Sequence, residues 1–167
     1  FKIFWTTKKK MSNTISLVES ILKNGLKIGK HESNQIAKVV DSLESYDEMV
    51  STVTESLNDN LKIKRSDLGV FLRCLRVDWE IIHFVSLFNH YLYSAENYGQ
   101  IKKRYEAFHE YIYLQKLENC HDLRPLINGK EMLKELNMKA GPWLGKINEK
   151  AILWQLDNPG MAREDLL

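Results

Sequence analysis

The chain has 167 residues, 44% hydrophobic and 28% charged, with a formal net charge of +2. That is enough chain to bury a sizeable core in one domain or two small ones. Three prolines and eight glycines argue against an all-β fold with many tight turns, and no apolar run approaches the ~20 residues of a membrane helix.

The charge is unevenly spread. Residues 1–30 carry seven lysines and one acid, and residues 31–60 carry one lysine and seven acids. Any nucleic-acid binding is therefore expected to be local rather than a property of the whole surface. Phe1 to Trp5 is apolar and precedes Lys8-Lys9-Lys10, the reverse of a signal peptide's order, and a chain starting at Phe1 reads as a piece of a longer protein. Cys74 and Cys120 lie inside helical patterns, which predicts buried thiols in a reducing compartment, without zinc-type spacing.

In chain order, Thr14 to Gly25 predicts an amphipathic helix through Ile15, Val18, Leu22 and Leu26. His31 to Tyr46 predicts a second through Ile36, Val39, Val40 and Leu43, and Asp47 to Asn58 a third. Ser66 and Asp67 open a helix carrying Leu68, Phe71, Leu72 and Leu75. Trp79 to Tyr93 is the least polar segment, with Ile81, Phe84, Val85, Phe88 and Leu92 on one face and Trp79, Ile82 and Leu87 on others, and a helix apolar on most sides is expected at the centre of a bundle. His83 and His90 share a face of that helix and read as partly buried histidines. Tyr98 to about Asn119 predicts a long helix with Ile101, Tyr105, Phe108 and Ile112 inward. The fold class is all-α: an irregular helical body over residues 1–120, then a smaller helical tail over 121–167.

The tail has its own signature. Asn128 is a good N-cap, and Glu131 can return a bond to the cap's backbone N–H. Met132, Leu133 and Leu136 supply the first tail helix's inner face. Pro142 restarts the helix at its first position, Leu144, Ile147, Ala151 and Trp154 continue it, and Asn158-Pro159-Gly160 stops it. The second start offers free N–H groups and the positive end of a macrodipole, with Gly141 and Gly145 permitting close approach and Lys146 one turn in. Six basic residues from Arg124 to Lys150 outnumber three acids. The pattern suits a phosphate of a nucleic-acid backbone, and equally an ordinary capped helix that packs closely through its glycines.

Catalytic signatures are thin. The sequence has no GxxxxGK[ST], HExxH or GxSxG motif, and no Asp-x-Asp pair for the Mg²⁺ ions of nucleotidyl transfer.

The run NGKEMLKEL, then GPWLGKI and WQLDNP, resembles the C-terminal part of the class II tRNA nucleotidyltransferases, the CCA-adding enzymes. Weaker similarity covers GLKIGKHESNQIAKVV and RSDLGVFLRCLRVDWE, the latter similar to eukaryotic members, with a fungal flavour. The resemblance implies a seahorse-like helical protein whose body and tail grip the acceptor and T arms of tRNA near the elbow. It implies that the Gly-Gly-x-x-Arg-Asp head, the Glu-Asp-x-x-Arg neck, Mg²⁺ and CTP/ATP belong to parts missing here. No cofactor and no catalytic residue is therefore expected in this stretch, which should be inactive alone. Glu164-Asp165-Leu166-Leu167 is no neck motif, since it lacks the arginine.

On that reading Gly141, Trp143, Leu144 and Gly145 offer backbone N–H groups or close approach to RNA phosphates, and Lys130, Lys134, Lys139, Lys146 and Lys150 add charge. Trp143 would stack on a base or ribose, or sit in the core. Partners implied are tRNA and no membrane. The implied location is intracellular, in cytoplasm, nucleus and mitochondrion. The rival reading is a helical protein–protein interaction or homodimerisation module without RNA binding.

Overall fold

The computed structural model describes residues 17–59, 63–135, 137, 139–162 and 165. Lys8-Lys9-Lys10, Ile15, Leu136, Glu164, Leu166 and Leu167, which carried sequence expectations, lie outside them. Among the described residues the protein is all helical, without a strand. A π-helical turn at Ile21–Gly25 precedes α1 (Lys30–Asn58), α2 (Arg65–Leu75), α3 (Trp79–Tyr93), α4 (Tyr98–Leu114), α5 (Gly129–Glu135) and α6 (Trp143–Asp157). The chain divides into two compact units, residues 1–55 with 78–108, and residues 56–77 with 109–167.

In the first unit α1 is one helix of 29 residues, not the expected two. The junction at Tyr46-Asp47 contains no glycine or proline, and Tyr46, Val50 and Val53 carry one fully buried stripe across it. Trp79 and Ile82 of α3 and Ile101, Tyr105 and Phe108 of α4 are buried in the same unit. Tyr46 stands edge-on to Phe108 with ring centroids 5.5 Å apart. Gln35 Nε2 donates to Asp78 Oδ1 at 2.8 Å, joining α1 to the start of α3.

α3 is buried on one face only, not on most sides as expected of a helix at the centre of a bundle. Its buried face is Trp79, Ile82, His83 and Ser86, whereas Ile81, Phe84, Val85, Phe88 and Leu92 are exposed. The polar members go inward because partners await them. His83 Nδ1 meets the Tyr46 hydroxyl at 3.1 Å, and Ser86 Oγ meets the Tyr105 hydroxyl at 2.9 Å. Burial pushes both phenols well above the usual tyrosine range. His90, also expected to be partly buried, is held by Asp47 Oδ1 at 2.6 Å from Nδ1, with Glu96 and Arg104 at Nε2.

In the second unit the organising element is α2. Arg65, Gly69 and Arg73 are four apart and so share one helix face. Arg65 donates to the carbonyls of Gln115, Lys116 and Leu156. Those carbonyls sit just past α4 and in the last turn of α6, at the negative ends of two helices, where a guanidinium is favoured. Arg73 donates to the carbonyls of Cys120 at 2.6 Å and Leu123 at 2.8 Å. Cys120 Sγ in turn lies 3.4 Å from the Gly69 carbonyl as donor.

α4 ends at Leu114, earlier than expected, in a Schellman motif: Leu117 N–H donates to Ile112 O at 3.0 Å and Lys116 N–H to Tyr113 O at 2.9 Å. Lys116 adopts φ 52 there, the left-handed position that glycine usually fills. Its expected inner set of Ile101, Tyr105, Phe108 and Ile112 is buried throughout. Both cysteines are free, as expected, but only Cys120 is buried; Cys74 is exposed.

Candidate nucleic-acid interface

The tail begins with the capping box read from the sequence. Asn128 Oδ1 accepts from the N–H groups of Lys130 and Glu131, both at 3.0 Å, and Glu131 Oε2 accepts from Asn128 N–H at 3.1 Å. α5 is short and stops where Asn137 takes φ 49. Its approach is fixed from α6. Gln155, buried, accepts from Leu126 N–H and donates to Arg124 O, each at 3.1 Å.

Pro142 is the residue just before α6 rather than its first member, and no side chain caps that start. Leu144 N–H turns back to Gly141 O at 3.1 Å. The Trp143 indole N–H donates to Lys139 O at 3.1 Å, folding the ring across the turn. A β carbon on Gly141 would lie 3.0 Å from Trp143 Cδ1, so the small residue makes room for the ring. Leu144 packs the other way, with Cδ2 at 3.3 Å from where a Gly129 β carbon would be.

The nine candidate residues thus divide by position. Gly141, Trp143 and Leu144 are half-buried and build the turn between α5 and α6. Lys130, Lys134, Lys139, Gly145, Lys146 and Lys150 are exposed. Lys130 and Lys134 are one turn apart on α5, as are Lys146 and Lys150 on α6. A β carbon on Gly145 would meet nothing within 4 Å, so the surface beside it is open to an approaching group. Glu149 lies exposed among the α6 lysines and dilutes their field.

Residues that position this site without signalling it in the sequence are Gly129, Gln155, Arg65 and Gly69. The fourfold spacing Arg65, Gly69, Arg73 was the available signal. A helix with arginines on both sides of a glycine, all on one face, is built for carbonyl capping and close packing.

Comparison with known proteins supplies the family. The chain is 41% identical over 170 residues to the mitochondrial CCA tRNA nucleotidyltransferase of Saccharomyces cerevisiae, covering 99% of this chain and 30% of that protein. It is 42% identical over 169 residues to the mitochondrial CCA tRNA nucleotidyltransferase of Candida glabrata, with 99% and 31% covered. It is 27% identical over 150 residues to tRNA nucleotidyltransferase cca2 of Schizosaccharomyces pombe, with 87% and 29% covered. The homologues of this chain are fungal CCA tRNA nucleotidyltransferases, the family that its sequence resembles. The chain spans under a third of the length of these relatives. No family model and no solved structure matches it.

Proposed function

We propose that this chain is the non-catalytic, tRNA-binding portion of a CCA tRNA nucleotidyltransferase. The observation that carries the reading is identity above 40% to two such enzymes over 99% of the chain. The protein to which it belongs would add CMP and AMP to tRNA 3′ ends with Mg²⁺, CTP and ATP held elsewhere in that protein. The two relatives' mitochondrial names support a mitochondrial location, with cytoplasm and nucleus as further sites of the same activity.

RNA would meet the tail at the uncapped start of α6. Open space beside Gly145 lets a phosphate reach the backbone, and Lys146 and Lys150 supply charge one and two turns on. Lys130, Lys134 and Lys139 extend the basic surface across α5. Recognition would follow shape and backbone, as expected for the acceptor and T arms of A-form RNA. Trp143 serves this site through its turn, since its N–H is already engaged by Lys139 O.

The test is tRNA binding by the Lys146→Ala/Lys150→Ala variant. Removing two phosphate contacts should weaken affinity about tenfold or more near 0.1 M salt, and flatten the salt slope by roughly 1.5. The exposed side chains leave the circular dichroism and melting curve unchanged. Undiminished binding by a folded variant removes α6 from the interface. A second reading, a helical interaction or homodimerisation module, is favoured by the exposed apolar residues of α3. Sedimentation that varies with concentration supports it.

A further inference from the structure

Opposite its buried face α3 carries an apolar one that the described residues of the first unit leave largely exposed, apart from Tyr91, whose ring stands edge-on to Tyr98 at 5.0 Å. Ile81, Phe84, Val85, Phe88, Tyr91 and Leu92 are between 37% and 68% exposed. At 3.6 residues per turn these six occupy a sector about 120° wide, centred opposite the buried Trp79, Ile82, His83 and Ser86. No polar side chain interrupts the sector; Glu80 and Asn89 stand at its two edges. A surface helix normally shows its charged face to water. This one shows phenylalanine.

The area indicates what covers it. A buried aromatic side chain contributes about 150–250 Å², so six large side chains roughly half exposed present on the order of 500 Å². A standard interface between separate proteins takes about 800 Å² from each partner. Interfaces between domains of one polypeptide run about 600–1,500 Å² in total, or roughly 300–750 Å² per side. The face fits the second class. The greater part of each homologue's polypeptide also lies outside the stretch that this chain matches.

We infer that the outer face of α3 is an intrachain docking surface, covered by a predominantly apolar segment of the same polypeptide lying outside these 167 residues. The inference rests on the proposed reading only in taking the chain as part of a longer protein. A second copy of the chain is the competing occupant.

Side-chain footprinting tests it, on this chain and on the full-length polypeptide that contains it, both at concentrations where sedimentation shows monomers. The expected result is a fall of fivefold or more in labelling of Phe84 and Phe88 in the longer protein, with exposed Lys146 and Lys150 labelled equally in both. Phe84→Gln/Phe88→Gln should leave the short chain's melting curve unchanged and lower that of the longer protein. Equal labelling in the two proteins overturns the inference. So does protection already present in the monomeric short chain, or protection that appears only as copies associate. Loss of CCA-adding activity is read separately: a full-length protein that adds no nucleotides, yet protects Phe84 and Phe88, fails the functional reading and keeps the interface.

Discussion

Gly69 faces Leu156 so closely that a β carbon at Gly69 would lie 2.7 Å from Leu156 Cδ2 and 3.0 Å from Cδ1. α2 and α6 meet at that point, where the carbonyl of Leu156 also accepts from Arg65. Gly69→Ala should therefore destabilise by about 1–3 kcal/mol, the range for overpacking, although alanine is worth up to ~1 kcal/mol over glycine in an open helix position. Gly145→Ala, with nothing near its β carbon, should be neutral or slightly stabilising. Urea denaturation of the two variants checks the opposite signs. Leu156→Ala combined with Gly69→Ala should show less than the sum of the single effects, because the clash is between these two side chains.

Arg65 joins three carbonyls that would otherwise end two helices unsatisfied. Arg65→Met should cost about 2–4 kcal/mol, as charge-assisted bonds are lost and partly buried acceptors are stranded. Arg65→Lys should recover only part, because an ammonium lacks the planar fork that reaches all three. Denaturant midpoints, with unchanged slopes, measure both.

Glu96 gives a pH dependence of known sign. The hydrogen bond from His90 first, and the nearby Arg104 guanidinium next, hold its carboxyl below the usual range. A carboxylate with a depressed folded pKa stabilises above its unfolded value, about 4.3, and that contribution disappears as pH falls through the folded value. Melting temperatures from pH 7 to pH 3 should fall less steeply for Glu96→Gln than for the natural chain. Parallel curves would remove Glu96 from the account.

The two cysteines should separate chemically. Burial pushes the Cys120 thiol up to about 11; it also raises the Cys74 thiol, but the Cys74 side chain is exposed and reachable. Alkylation of the native chain at pH 8 should modify Cys74 and spare Cys120, and denaturation should expose both. Peptide mass spectrometry reads the ratio.

The sequence was most legible where local chemistry decides the outcome. The Asn128–Glu131 capping box, the Asn158-Pro159-Gly160 stop and the inward set of α4 follow from caps and periodicity alone. α3 was illegible for a physical reason. A helix apolar on nearly all sides has no unique inner face, and the true one is chosen by His83 and Ser86 finding Tyr46 and Tyr105 from distant parts of the chain. The break expected at Asp47 failed because an acid in a helix interior is tolerated where His90 and Tyr105 receive it. At the candidate interface the lysines and glycines were visible. The tertiary links that shape it, Gln155 to residues 124 and 126 and Gly129 to Leu144, join positions too far apart for periodicity to show.

The most direct measurement is a salt titration of this chain binding a tRNA without its CCA end, beside a T-arm minihelix and a DNA duplex. tRNA and minihelix should bind alike and better than DNA, with log affinity falling steeply against log salt. Binding that ignores the shape of the nucleic acid, or no binding at low salt, would contradict the tRNA-binding reading.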